Sequence, residues 1–266
     1  MTDTHSSIMS LPTTTSADLD RHLQVLGVSR GCRIVAHSRL ISFGQIDGGA
    51  AAVYDALRRA VGPEGTIAVP TYTLDLPPEL PYDPHTTSSM EAGALSEYVR
   101  RLPGAVRSRC PLHNHAAIGP VASSLGEGMG DVSLGVGSDF DSFLRGNFSL
   151  LLLGCSFHEG ATFVHHVEAL AGVPYRKWSD LPRRIVMHGS EHPVLVRYYG
   201  RDSADWTEDF DKVGAGMEAA GLLRAADCPF GRSYLVGLAD MVGFVTAMLR
   251  ADPYAVVSAV AGANHG

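Results

Sequence analysis

The segment from Thr162 to Glu168, TFVHHVE, has the residue types and the spacing of a general base. On a helix, His165 and Glu168 are three residues apart and therefore lie on one face. A carboxylate in that position orients the imidazole and stabilises its protonated form, which a base needs in order to take a proton from an amine or an alcohol. Taken alone, the spacing is more often that of a structural histidine beside a glutamate.

The same segment does not predict a metal site. His165 and His166 are adjacent, so their side chains diverge by about 100° on a helix. The chain also lacks the HExxH pattern that places two zinc ligands on one helical face. We therefore expect no metal cofactor.

A second segment, AHSRLISFGQIDGG, combines hydroxyls with glycines just before a helix. Ser38 and Ser42 are followed by Gly44, Gly48 and Gly49. Backbone amides at a helix N-terminus and in a glycine-rich loop can hold a phosphate group. The segment matches neither GxGxxG nor GxxxxGK[ST], so an ordinary loop with a helix cap fits it equally well.

Composition narrows the classes of partner. The chain has 21 basic and 28 acidic residues, a net charge of -7, and no cluster of Lys and Arg, which argues against nucleic acid. No apolar run approaches the roughly 20 residues that span a membrane. Four cysteines are widely spaced without a CxxC pair, which favours reduced thiols in the cytoplasm over a zinc knuckle or a disulfide scaffold.

Hydrophobic periodicity predicts the elements that must position these residues. Apolar strands are indicated at Ile34 to Ala36, in TIAVP before Thr71 and in SLLLLG before Cys155, and a hairpin is indicated around Gly189 and Ser190. Predicted helices cover residues 16–26, 49–61, 90–102, 162–171, 209–220 and 233–250. A proline-rich stretch, LDLPPELPYDPHTTSS, interrupts this alternation and is expected to be an irregular loop that shapes the substrate site.

Strands that alternate with helices, together with a hairpin, predict an α/β fold. We expect one layered α/β/α domain with a central mixed sheet, since parallel pairs need helical crossovers and hairpins supply antiparallel pairs. That domain is expected to cover residues 18–258, and residues 1–17, rich in Ser and Thr, are expected to form a disordered tail.

Several segments occur in an order that is more specific than any single motif. HSRLISFGQIDGGAAAVYDAL is followed by GTIAVPTYT, GAVRS, AAIG, GVGSDF, LLLLG and TFVHHVEALAGVPYR. In this order the chain resembles the aminoglycoside 3-N-acetyltransferase family, also called the antibiotic N-acetyltransferase family, over residues 26–178 and more faintly to the DP at Asp252. The resemblance implies transfer of an acetyl or other acyl group from coenzyme A to an amine of an aminoglycoside-like antibiotic or another small natural product. It also implies that no metal takes part and leaves room for a homodimer.

The resemblance also implies roles for individual residues. The family's T-x-x-H-x-x-E pattern falls on Thr162, His165 and Glu168, which makes His165 the general base and Glu168 its orienting carboxylate. The other matching blocks imply a coenzyme A pocket built from Ser38, Arg39, Gly44, Thr71, Gly137 and Ser138.

Departures from the family pattern fall in RSRCPLHN. Cys110 and Asn114 stand where many members have His and Ser, and His113 lies between them, so we expect these three residues in the acceptor pocket. Asp83 and Glu91 are candidate carboxylates for a cationic acceptor, and the departures favour one smaller than a polycationic antibiotic. One alternative is an acyltransferase or thioesterase that uses Cys110 as nucleophile on a coenzyme A or carrier-protein thioester. The other is a non-catalytic binding protein built on the same fold.

Overall fold

The computed structural model describes residues 11–260, which form a central sheet of seven strands with helices on both faces. The strands are β1 (Thr13–Thr14), β2 (Arg33–Ser38), β3 (Gln45–Ile46), β4 (Thr66–Pro70), β5 (Val106–Arg107), β6 (His115–Ile118), β7 (Ser149–Leu153), β8 (Arg176–Met187), β9 (Ser190–Arg201), β10 (Trp206–Glu208), β11 (Arg224–Cys228), β12 (Gly231–Gly237) and β13 (Val257–Ala259). The helices are α1 (Ser16–Leu26), α2 (Gly49–Val61), α3 (Ala94–Arg100), α4 (Asp139–Arg145), α5 (Phe157–Gly160), α6 (Phe163–Ala171), α7 (Asp211–Ala219) and α8 (Leu238–Ala251), with short 3₁₀ turns at Leu40–Phe43, Met90–Ala92 and Ala122–Gly126.

The central sheet is mixed and has the order β11-β12-β7-β2-β4-β6-β5. Strand β2 pairs in parallel with both β4 and β7, whereas β6 and β12 add antiparallel partners on either side. Because the three central strands run the same way, their carboxyl ends meet at one edge of the sheet. The predicted α/β fold with a mixed sheet is confirmed.

Alternating strand residues divide the core into two layers. In β2, Ile34 packs with the residues that α1, α2 and α3 bury, and Val35 packs on the opposite face with the cores of α4, α6 and α8. The central strands are buried on both faces, as is typical of parallel strands between helical layers. This is the predicted α/β/α arrangement.

The long hairpin of β8 and β9 lies outside the central sheet. Its twelve residue pairs run from Arg176–Arg201 to Met187–Ser190, so the predicted hairpin is present, but its turn falls on His188 and Gly189 and not on Gly189 and Ser190. Both turn residues have positive φ, 51° and 76°, which matches the twist that a two-residue hairpin turn requires. The first residue of β8, Arg176, is thereby brought beside α6.

Two predictions about element boundaries are wrong. The predicted disordered tail extends too far, because Thr13–Thr14 pairs with Gln45–Ile46 and a Thr15 capping box starts α1 at Ser16. The rest of that prediction, residues 1–10, lies outside the described residues. The last helix does not begin at Ser233, because Gly231–Gly237 forms the antiparallel strand β12 between β11 and β7.

None of the helices in residues 11–260 combines the length and the apolar character that a membrane-spanning helix requires.

Candidate active site

Helix α6 carries the His–Glu pair that the sequence singles out. The helix follows Thr162 and ends at Gly172, whose left-handed conformation (φ 69°) closes the last turn. Within it, His165 Nδ1 lies 2.6 Å from Glu168 Oε2. The Glu168 side chain is fully buried, whereas 18% of the His165 side chain is exposed. The geometry is thus that of an accessible imidazole held by a buried carboxylate.

Two further side chains fix the Glu168 carboxylate. The Tyr175 hydroxyl donates to Oε1 at 2.7 Å, and Arg176 Nε forms an ion pair with Oε2 at 2.9 Å. Burial raises the pKa of the Glu168 carboxyl, but the hydrogen bond and charge of His165 and the charge of Arg176 lower it by more, so the net pKa is lowered. Glu168 is therefore ionised at neutral pH.

An ionised Glu168 determines which nitrogen of His165 carries the proton. A carboxylate only accepts, so Nδ1 donates to Glu168 and Nε2 keeps a free electron pair. Arg176 Nη2 also lies 2.9 Å from Nδ1, but a protonated Nδ1 cannot accept from it, and Nη2 donates to Glu208 Oε1 at 3.0 Å. The edge of the Phe210 ring packs against the imidazole, with 5.0 Å between ring centroids. Nε2 of His165 is consequently the basic atom of this pair.

A cleft lies at the carboxyl ends of the central strands and consists of two adjoining cavities. The first, about 340 Å³, is lined by His37, Ser38, Arg39, Pro70, Tyr72, Glu91, Ala92, Cys155, Glu159 and Thr162, and is called the Ser38 cavity below. The second, about 300 Å³, is lined by Tyr72, Thr73, Asp75, Leu76, Pro77, Thr87, Ser88 and Glu91, and is called the Asp75 cavity. Thr162, which lines the Ser38 cavity, is one helical turn before His165, whereas His165 and Glu168 themselves line neither cavity.

The residues predicted to bind coenzyme A divide into two groups. Ser38 and Arg39 line the Ser38 cavity, and Arg39 Nε is 3.3 Å from Glu159 Oε1. Thr71 is buried away from the cleft, where its hydroxyl donates to Asn114 Oδ1 at 2.7 Å. Gly44 lies against the N-terminal segment, since a Cβ there would collide with the Pro12 carbonyl oxygen.

Gly137 and Ser138 belong to the start of α4. The Ser138 side chain caps that helix by accepting from Asp141 N at 3.4 Å, and Gly137 N donates to Asp141 Oδ2 at 2.9 Å. Neither residue lines the Ser38 cavity or the Asp75 cavity. The structure therefore does not bring the predicted coenzyme A residues together as one set.

The residues predicted to contact the acceptor are also separated. Glu91 lines both halves of the cleft. Asp83 lies beside a different cavity of about 620 Å³, where its carboxylate accepts from His85 N and the Thr86 hydroxyl. Asn114 is fully buried and donates to Thr73 Oγ1 at 2.8 Å, so it ties the strand ends together.

Cys110 and His113 are buried and line neither half of the cleft. Cys110 packs against Leu112 and Val196, and burial raises the pKa of its thiol to about 12. His113 is buried beside Ser133, with Nδ1 2.7 Å from Oγ, and burial lowers the pKa of its imidazole well below the ordinary value. At neutral pH both side chains are therefore uncharged. All four cysteines of the chain are free.

Sequence reasoning missed a second carboxylate–histidine pair. Asp139 Oδ2 is 2.9 Å from His115 Nδ1 and accepts from the Ser108 hydroxyl at 2.5 Å. On the other side of the ring, His115 Nε2 is 3.3 Å from the hydroxyl oxygen of Tyr72, which lines both halves of the cleft. The partners are 24 and 43 residues away from His115 in the sequence, so no local spacing signals them.

Within residues 11–260, no three or more His, Cys, Asp and Glu side chains are grouped in a way that could hold a metal ion.

Comparison with known proteins identifies the family. Residues 35–250 match the sequence profile described as aminoglycoside 3-N-acetyltransferase. Aminoglycoside N(3)-acetyltransferase VII of Streptomyces paromomycinus is 32% identical, over 89% of this chain and 91% of that protein. The chain belongs to the aminoglycoside 3-N-acetyltransferase family. Its family resemblance and its enzyme class, an acyl-coenzyme A-dependent N-acyltransferase, are thereby confirmed as predicted.

Solved structures of this acetyltransferase family share the fold. The crystal structure of aminoglycoside acetyltransferase AAC(3)-Xa superposes with a TM-score of 0.79 at 29% identity, covering 89% of this chain and 93% of the other. AAC-IIIb in a binary complex with CoASH superposes with a TM-score of 0.81 at 25% identity, covering 90% and 97%. The latter structure carries the coenzyme A that the sequence analysis expected as co-substrate.

Proposed function

We propose that this chain transfers an acetyl group from acetyl-coenzyme A to an amine of an aminoglycoside. His165 acts as general base and Glu168 as the carboxylate that orients it. The observation that carries this proposal is the 2.6 Å contact between His165 Nδ1 and Glu168 Oε2, one helical turn from a residue that lines the cleft. We further propose that residues 18–258 act as one acyltransferase domain.

The reaction is a direct attack of the amine on the thioester. The acceptor nitrogen forms a bond with the carbonyl carbon while His165 Nε2 takes a proton from that nitrogen. The Glu168 carboxylate stabilises the resulting imidazolium, as in other carboxylate–histidine pairs. The carbon–sulfur bond then breaks, and the imidazolium returns its proton to the sulfur of coenzyme A. The products are the amide and free coenzyme A.

The Ser38 cavity suits the donor. It lies at the carboxyl ends of β2 and β4, and Ser38 offers a hydroxyl beside the positively charged Arg39. His37 lines the same cavity, and burial lowers its pKa to about 3, so it adds no charge. This combination supports placement of the thioester end of acetyl-coenzyme A beside Thr162.

The Asp75 cavity suits the cationic acceptor. Two of its lining residues, Asp75 and Glu91, are carboxylates, and the described lining includes neither Lys nor Arg. Carboxylates concentrate a polyamine in the cleft and hold it by ion pairs. Because Tyr72 and Glu91 line both cavities, an amine held there lies next to the donor.

The environment of Cys110 supports direct transfer over a covalent acyl-enzyme. A thiol whose pKa is raised to about 12 is almost entirely protonated at neutral pH, and the thiolate is the nucleophile. Its packing against Leu112 and Val196 is that of a small apolar residue.

An acceptor screen tests the proposal. The purified chain is mixed with acetyl-coenzyme A and a panel of aminoglycosides and small monoamines, and thiol release and product mass are followed. The proposal predicts a mass gain of one acetyl group on an aminoglycoside, and weaker donor binding in Ser38→Ala at unchanged melting temperature. Thiol release at the same rate without any amine would reject it and indicate a thioesterase.

A further inference from the structure

The cleft contains a tyrosine whose hydroxyl is backed by a buried carboxylate–histidine pair. Tyr72 Oη is 3.3 Å from His115 Nε2, and His115 Nδ1 is 2.9 Å from Asp139 Oδ2. The His115 side chain is fully buried, whereas Tyr72 lines both the Ser38 cavity and the Asp75 cavity. The three residues thus form a chain of hydrogen bonds from the cleft into the core.

The donor and acceptor of each of these hydrogen bonds follow from the partners of Asp139, at the buried end of the series. The Ser108 hydroxyl donates to Asp139 and accepts from His115 N at 3.1 Å, so its one proton is already committed to Asp139. The Asp139 carboxylate only accepts, which places a proton on His115 Nδ1 and a free electron pair on Nε2. The Tyr72 hydroxyl must then donate to Nε2, and of the two electron pairs on its oxygen one accepts from the Thr162 side chain and the other stays open to a donor in the cleft.

The titratable side chains around the His115 imidazole are one carboxylate and three uncharged rings. The carboxylate is that of Asp139 from α4, which contacts the His115 ring. The other titratable groups that face it are Tyr72, His37 and His113, and burial lowers the pKa of both of these histidines so that they stay neutral. An imidazolium at His115 would therefore meet one negative charge and no fixed positive charge among these neighbours. Phe140 and Phe143 pack edge-on against the ring and keep it away from water.

We propose that Tyr72, His115 and Asp139 form a proton relay that removes the first proton from the protonated amine of the acceptor. Alkyl amines are largely protonated at neutral pH, and an ammonium group has no electron pair with which to attack a thioester. His165 takes only the second proton, during attack, so the first must leave by another route. The inference rests on the proposed function and deepens it.

The relay moves one proton, and every proton is accounted for over the complete reaction. The ammonium N–H bond breaks as its proton passes to Tyr72 Oη, while the phenol proton passes to His115 Nε2. Asp139 stabilises the imidazolium that results. His165 then takes the second proton and returns it to the coenzyme A sulfur as described above. After the products leave, the relay proton returns through Tyr72 to water.

Tyr72 is also linked to the helix that carries His165, the general base. The side chain of Thr162 hydrogen-bonds to Tyr72, and Thr162 is one turn before His165 on α6. An amine held between Tyr72 and Thr162 can therefore reach both proton acceptors. In this scheme Tyr72 is the catalytic residue that meets the substrate, and His115 and Asp139 are positioning residues that act through it.

The test is the pH dependence of acetyl transfer in Tyr72→Phe, His115→Gln and Asp139→Asn. At a pH well below the pKa of the acceptor amine, each variant is expected to lose up to about 10²-fold in kcat/KM for the amine. Above that pKa the amine is already neutral, so the ratio of variant to wild type is expected to rise toward one. The matched control is Tyr98→Phe on α3, a partly buried tyrosine that packs against Tyr54 and lines neither half of the cleft.

A purely structural role would lower kcat/KM by the same factor at every pH, and that result would overturn the relay while leaving the proposed function intact. A wild-type chain that acetylates no amine would instead reject the proposed function, and the relay's role with it. Histidine ¹⁵N NMR of the wild-type protein reports which ring nitrogen of His115 carries the proton, and it does not depend on enzyme activity. The relay predicts a proton on His115 Nδ1, and a ring protonated only on Nε2 would overturn it.

Discussion

Glu168 Oε2 accepts a hydrogen bond from His165 Nδ1 at 2.6 Å, across a single turn of helix α6. The same carboxylate also meets Tyr175 and Arg176, so it is held from three sides. Because the carboxylate is held in this way and bonds Nδ1, the base is fixed in position while 18% of its side chain remains exposed.

Glu168→Gln keeps the shape of this side chain and removes its charge. An amide stabilises an imidazolium poorly, so we expect kcat to fall by about 10- to 10²-fold, less than the loss in His165→Ala. The KM for acetyl-coenzyme A is expected to stay constant in steady-state kinetics. Glu218→Gln, in an exposed pair with Arg232, is the control. An unchanged kcat in Glu168→Gln would contradict the assigned role.

The same group gives a stability prediction. The folded-state pKa of Glu168 is lowered, so its contribution to stability is fully present above the ordinary carboxyl value of 4.5 and is lost as pH falls through the folded-state pKa. Wild type should therefore lose stability on acidification in urea titrations, and Glu168→Gln should lose less over the same range. Parallel pH profiles for the two proteins would argue against this coupling.

Cys110→Ser should retain a sizeable part of the activity. The thiol is buried and protonated, so no acyl group should be transferred to it. Intact-mass measurement after mixing wild type with acetyl-coenzyme A alone is expected to show no added acetyl group. An adduct that disappears in Cys110→Ser would instead indicate a ping-pong acyltransferase.

The double variant Asp75→Asn/Glu91→Gln should weaken acceptor binding selectively. Each exposed carboxylate contributes modestly to holding a cation, so we expect the acceptor KM to rise about 2- to 10-fold, and more at low salt. Donor KM is expected to change less than acceptor KM, since Glu91 also lines the Ser38 cavity but Asp75 does not. Glu64→Gln, in an exposed pair with Arg30, serves as the control. Equal changes in both KM values would place the acceptor elsewhere.

Glu97→Gln tests the support beneath the loop that borders the cleft. The buried Glu97 carboxylate pairs with Arg100 at 2.6 Å and accepts from Ser89 N and Ser89 Oγ at 2.9 and 2.8 Å. Loss of its charge leaves the buried Arg100 without a counter-ion, which we expect to cost about 3 kcal/mol in the free energy of unfolding at pH 7.

The contribution of Glu97 to stability depends on pH, and the direction of that dependence follows from its hydrogen bonds with Arg100 and Ser89. The hydrogen bond from Arg100, with those from Ser89, outweighs burial and holds the pKa of Glu97 below 4.5, so this stability is present above pH 4.5 and is lost on acidification. Urea unfolding at pH 7 and at pH 3 measures it. A wild type and a Glu97→Gln variant with equal stability at pH 7 would contradict the assignment.

Local sequence patterns were sufficient to predict the helices and strands that have a long, regular hydrophobic pattern. Helix α2, with its glycines at both ends, has the predicted bounds Gly49–Val61. Strand β12 was mistaken for helix because Leu235 and Val236 form too short an apolar run to reveal a period, and its pairing with β7 decides its conformation. Helix α4 was not predicted, since its seven residues follow a glycine-rich loop.

The site was predictable only where its partners are close in sequence. His165 and Glu168 are one turn apart, so spacing reveals them, whereas Tyr72, His115 and Asp139 meet only because the sheet brings together the ends of separate segments. Thr71 and Asn114 carry polar groups that could bind a ligand, but in the fold those groups satisfy each other in the core.

The most direct test of this account is the activity of His165→Ala. We expect kcat for acetyl transfer to an aminoglycoside to fall by about 10²- to 10⁴-fold. Acetyl-coenzyme A affinity by calorimetry and the melting temperature should change little, because the imidazole is partly exposed and lines no part of the Ser38 cavity. A His165→Ala variant that binds the donor, folds normally and transfers acetyl groups at the wild-type rate would contradict the account.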